Sequence, residues 1–132
     1  MTGIYTDIVD IVAPDSAKAG ETVPVTIWIK NKYSASVHVA AIGVLDAEES
    51  FIDWLDYWIP AGATHSFSGT FVMPARDVTI HAYSYYEAED GDWYFDDAAE
   101  KAVSLEEVEV FAGTISKKEL EYDATRSPIP VY

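Results

Sequence analysis

Cysteine is absent from the 132-residue chain, which excludes disulfides, zinc–thiolate sites and thiol catalysis. The absence leaves the compartment open, since a core of this size needs no covalent staple. Basic residues are scarce. Eight Lys and Arg stand against 23 Asp and Glu, a formal net charge of −15 at pH 7. Such a surface repels phosphate backbones and anionic lipid faces, so neither nucleic acid nor a membrane surface is an expected partner. No stretch of the sequence holds 18 uninterrupted apolar residues, so no bilayer insertion is expected. The opening Met1-Thr-Gly-Ile-Tyr-Thr-Asp7 has no basic segment followed by an apolar one, and it reads as lacking a signal peptide. Helical periodicity is almost missing too. Asp96 to Lys101 and Ile115 to Tyr122 are the best candidates, a turn or two each.

What the chain does have is apolar and aromatic mass, 49% hydrophobic and 14% aromatic, enough for a real core. Its dominant period is two. Val23, Val25, Ile27 and Ile29 alternate with Thr22, Pro24, Thr26, Trp28 and Lys30, a half-buried strand whose start Pro24 assigns to an edge or bulge. Residues 36–45 are apolar on both faces, as in a central strand covered on both sides. In 64–73, His65, Phe67, Gly69, Phe71 and Met73 oppose Thr64, Ser66, Ser68, Thr70 and Val72. In 77–86, Val78, Ile80 and Ala82 oppose Thr79, His81, Tyr83 and Tyr85. Residues 4–12 supply a first strand, and 93–95 and 101–111 two further β-rich pieces.

Turn signals separate these runs: Lys18-Ala-Gly-Glu21, Asn31-Lys-Tyr-Ser34, Pro60-Ala-Gly-Ala63 and Glu89-Asp-Gly-Asp92. Short strands punctuated in this way predict an all-β, Ig-like antiparallel β-sandwich of about seven strands spanning residues 1–112. Composition shifts near residue 112. Residues 113–132 hold three of the eight basic residues (Lys117, Lys118 and Arg126) and end in Pro-Ile-Pro-Val-Tyr132. They read as an extended C-terminal arm.

Residues 7–31, from Asp7-Ile-Val-Asp through Pro14-Asp-Ser and Ala19-Gly-Glu-Thr-Val23 to Lys30-Asn31, resemble the opening of bacterial and archaeal cell-adhesion-related Ig-like domains of the CARDB type. Pro60-Ala-Gly-Ala-Thr-His-Ser-Phe67 is similar to the turn and strand that follow in that family, and Met73-Pro74 to its strand end. The resemblance covers residues 4–105. It implies a sandwich fold and an adhesive module of exported surface proteins, carried by turn and strand chemistry and not by active-site residues. Two segments depart from the pattern, the long aromatic stretch Asp46–Ile59 and the arm after residue 112. Without an export signal, a virion component (a decoration or tail-associated protein) is the expected setting, with a cell surface as the alternative.

Four constellations bear on chemistry. His38, His65 and His81 lie on separate strands with no spacing that brings metal ligands together, and they read as sheet-face histidines. The acidic loop at Glu87, Glu89, Asp90 and Asp92 invites a calcium site, because hard cations want clustered carboxylates. Counted from Glu87, however, the glycine falls fifth and Ala98 stands twelfth, unlike an EF-hand loop, so a hairpin turned at Asp90-Gly91 is the simpler reading. The stretch 46–59 mixes acids with Phe51, Trp54, Tyr57 and Trp58. Its aromatics either cover the core or edge, or anchor a protein interface, or stack on sugar rings. Carboxylate pairs such as Asp53 with Asp96 arise by chance in so acidic a chain, and no nucleophile elbow, phosphate loop or zinc-helix motif is present, so no enzyme activity is expected.

The expectation is therefore a non-enzymatic structural or interaction module without cofactors. Trp54, Tyr57, Trp58 and Trp93 are its candidate contacts to a protein or a glycan. Ile129, Val131 and Tyr132 of the arm are candidates for adding a strand to a second copy or to a capsid or tail protein.

Overall fold

A computed structural model describes residues 3–46 and 49–106. The arm residues 113–132, including Ile129, Val131 and Tyr132, and the helical turn expected at Ile115–Tyr122 lie outside the described residues. Eight strands follow in chain order: β1 Thr6–Val12, β2 Ser16–Ala17, β3 Thr22–Asn31, β4 Val37–Leu45, β5 Glu49–Ile59, β6 Thr64–Val72, β7 Val78–Glu87 and β8 Trp93–Leu105. They form two sheets, β1-β3-β6 and β2-β8-β7-β4-β5. All pairings are antiparallel except the two-residue pair β2–β8, which is parallel. The described residues form an all-β sandwich.

The alternation read in the sequence is what closes the core. Val23, Val25, Ile27 and Ile29 of β3 and Phe67, Phe71 and Met73 from β6 and its end pack inward. From the other sheet, Val39, Ala41, Ile59, Ile80, Ala82 and Val103 meet them. Pro24 is explained by register. β1 pairs with β3 only as far as Val12 with Thr26, so β3 has lost its β1 neighbour where the proline stands. The turn glycines Gly62 and Gly91 adopt φ of 73° and 86°, conformations that a side chain disfavours.

One expectation is corrected. The expected helical turn Asp96–Lys101 is strand, and it joins 93–95 to 101–105 in one continuous β8. Helix-favouring Ala and Lys lose there to β7, which pairs with every residue from Asp97 to Lys101. Within 46–59, whose role the sequence left open, 49–59 pairs with β4 as a full strand. Its period is hidden by a bulge that sets Leu55 opposite Ala41 but Ile52 opposite Gly43. With β2 added as well, the described residues hold eight strands, in keeping with the expected seven or so.

A candidate recognition face

The outer face of the five-stranded sheet is laid out by cross-strand register. Trp58 of β5 stands opposite His38 of β4, and Glu87 of β7 stands opposite Trp93 of β8. One step along the strands, Asp56, Ala40, Tyr85 and Phe95 form the next row. Side chains at every second position share this face. His38 stacks on Trp58 with ring centroids 4.8 Å apart and receives Trp93 edge-on at 4.8 Å. Trp54 meets Trp93 at 5.0 Å and Tyr85 at 5.6 Å. These rings roof the outward-facing Ala40, which is fully buried. They nevertheless leave 39% of Trp54, 58% of Trp58 and 48% of Phe95 in solvent. Contiguous exposed aromatics on a sheet face are uncommon on a monomer surface without a partner.

The polar groups are ordered around His38. Its Nδ1 lies 2.9 Å from Glu87 Oε1 and its Nε2 2.9 Å from Asp56 Oδ1. A neutral imidazole carries one donor, so two carboxylate neighbours call for the imidazolium. Burial opposes that charge, but the hydrogen bonds and charges of Glu87 and Asp56 outweigh it and hold the His38 pKa above the usual histidine value. The clamp ties β5, β4 and β7 together across the aromatic face.

Of the residues singled out in the sequence, Trp54, Trp58 and Trp93 come together here. Tyr57 does not. It occupies the opposite face of β5 and stacks on His65 of β6 at 3.7 Å, at the side where the two sheets meet. His81 lies on the outer face near Tyr83. Sequence reasoning missed His38, Tyr85 and Phe95 as members of the face, although the period-two phase of 77–86 already set Tyr85 opposite the apolar Val78, Ile80 and Ala82; 36–45, apolar on both faces, offered no such signal for His38.

The acidic loop is built as a turn. Gly91 donates to the Ala88 carbonyl and Ala88 to that of Asp92. Asp90 accepts from the Asp92 amide at 2.9 Å and from the Tyr94 hydroxyl at 2.8 Å, which holds its carboxyl below the usual carboxylate range. Glu87 is engaged by His38. Among the described residues no group of three or more His, Asp and Glu side chains is placed to hold a metal ion. Asp53 is exposed on β5, whereas Asp96 is buried and accepts from the amides of Ile4, Tyr5 and Thr6 and from the Thr6 hydroxyl. The two carboxylates share no cleft.

No protein-family model matches the sequence, and no curated protein does either. Solved structures do match the fold. The CARDB domain of a Pyrococcus furiosus protein, in complex with di-metal ions, aligns with a TM-score of 0.61 at 13% identity over 80% of this chain and 92% of that one. The alkylpurine DNA glycosylase AlkC of Pseudomonas fluorescens, bound to DNA containing an abasic site analog, aligns with a TM-score of 0.51 at 11% identity, over 76% of this chain but only 30% of its own length. At such identities the likeness establishes architecture, a CARDB-like β-sandwich.

Proposed function

We propose that this domain is a non-enzymatic, adhesion-type recognition module that binds a protein partner through the outer face of its five-stranded sheet. The observation that carries the reading is the continuous cluster of Trp54, Trp58, Trp93, Tyr85 and Phe95 around the clamped His38. Large, rigid, amphipathic rings contribute much of the energy at protein interfaces and lose little entropy on binding. The CARDB-like fold supports the same class, since the Ig-like sandwich is a common scaffold for surface contacts. The setting proposed is the surface of a virion or a cell, where the arm 113–132 adds a second contact to a sister copy or neighbouring protein.

The test is binding of labelled protein to surface preparations from its source, comparing wild type with the Trp54→Ala/Trp93→Ala double variant. Loss of binding in a variant that keeps its β-sheet circular dichroism supports the reading. Undiminished binding overturns it. Binding on a glycan array that vanishes in the same variant moves the reading to a carbohydrate module.

A further inference from the structure

At the Trp58 end of the aromatic face the sheet runs into a cavity of about 520 Å³. Its walls are aromatic. Tyr5 stands edge-on to Tyr33 with centroids 5.1 Å apart and leans on Tyr86 at 4.5 Å, and Trp58 closes the side towards His38. Two carboxylates, Glu87 and Glu89, also line it, and among the described residues no Lys or Arg does. The nearest base in sequence, Lys32, is spent elsewhere, donating to the Gly3 carbonyl at 2.6 Å and lying 3.3 Å from Asp7. The field around the rings is negative. The Tyr86 hydroxyl is pushed above its ordinary value by burial and then by the neighbouring Tyr5, Asp96 and Asp90.

We propose that this cavity receives a cationic side chain, lysine or arginine, presented by the protein partner. The proposal deepens the recognition reading and rests on it. A cation gains from the faces of Tyr and Trp rings, and more so where carboxylates stand at the rim and water is partly excluded. The chemistry matches the chain as a whole, which with a net charge of −15 attracts basic partners over long range. His38 sets a pH dependence. It is faced by Asp56 from β5 and Glu87 from β7, with Trp58 and Trp93 against its ring. While protonated, it neutralises Glu87 in the cavity wall. Once it loses its proton, Glu87 is free to pair with an incoming cation, so binding strengthens as pH rises.

The experiment titrates the full-length protein with N-acetyl-lysine methylamide and, as the uncharged analogue of nearly the same shape, N-acetyl-norleucine methylamide. Ring and indole resonances of Tyr33, Tyr86 and Trp58 are followed by NMR. The lysine compound is expected to shift them saturably and the norleucine compound to leave them in place. Tyr33→Ala and Glu89→Gln, both at exposed positions, are each expected to weaken binding about threefold. Raising the pH from about 5.5 to about 8, across the titration range of a histidine, is expected to strengthen it. Equal binding of norleucine, or lysine shifts that are scattered over the acidic surface and survive Tyr33→Ala, would overturn the proposal, as would no response to the lysine compound. The two readings fail separately, because loss of surface binding in Trp54→Ala/Trp93→Ala reports on the face whatever the cavity does.

Discussion

Ile27 and Asp96 mark the two extremes of what a single residue discloses. Ile27 announces its place, since alternation with Thr26 and Trp28 puts it inward and it is fully buried. Ile27→Asp is expected to cost about 4 kcal/mol or more, a buried charge without a partner, read as a collapse of the urea midpoint. Asp96 hides its place. Its sequence neighbours suit a solvated helix start, yet a bulge sets Phe95 opposite Tyr85 and Asp97 opposite Ser84, leaving Asp96 as the extra residue. Its carboxylate then meets amides some 90 positions away, at Ile4, Tyr5 and Thr6. Nothing local encodes that meeting. Asp96→Ala leaves those amides and the Thr6 hydroxyl without their acceptor, and a loss of about 3–5 kcal/mol in denaturant unfolding is expected. His38 falls between the two, its place on a strand legible and its two carboxylates not. Because its folded pKa is raised, the stability it supplies is fully present below the unfolded value near about 6.5 and is lost as pH climbs through the higher folded value. The melting-temperature gap between wild type and His38→Gln should therefore be widest at mildly acidic pH and shrink towards about pH 8. A constant gap would remove the imidazolium clamp.

Strands β3, β6 and β7 were legible because each buries one face only, and a period of two survives in their sequences. β5 was not. As an edge strand joined to the sheet by β4, it leaves Trp54, Leu55, Tyr57 and Trp58 exposed on both its faces, so hydrophobicity carries no phase there. The bulge across Gly43 shifts what remains. Glycine at two positions lets this strand sit where it does. A Cβ on Gly43 would come within 2.8 Å of the Phe51 ring, and one on Gly69 within 2.5 Å of Ile52 Cγ1. Gly69 lies on β6 of the opposite sheet, so it sets how closely β5 approaches across the sandwich. Gly69→Val is expected to push β5 outward and to destabilise by about 1–3 kcal/mol, the usual cost of overpacking. A variant with an unchanged melting temperature would mean that Ile52 has room to turn away. The aromatic face inherits this dependence, since Trp54 and Trp58 ride on β5.

For the molecule as a whole, charge is the dominant fact. Eight basic residues cannot neutralise 23 acidic ones, and the pairs formed with Lys and Arg among the described residues, Lys32–Asp7, Arg76–Asp46 and Lys101–Asp15, are partly exposed. Exposed pairs contribute little, on the order of 0–1 kcal/mol each, whereas the excess negative charge repels itself across the entire surface. Salt therefore acts on two opposing terms: it weakens a few pairs and screens many repulsions. The second term involves far more charges, and a Debye length of about 10 Å at 0.1 M is short enough to screen most of them. Raising sodium chloride from about 10 mM to about 300 mM should accordingly raise the melting temperature, the opposite of what a fold held by ion pairs would show. The same salt should weaken attachment of a cationic partner, whose long-range attraction it screens, while barely touching contacts made by the aromatic rings. Stability rising and basic-partner affinity falling over one salt series would assign the acidity to solubility and partner steering. A melting temperature that falls with salt would instead mean that the three pairs outweigh the repulsion.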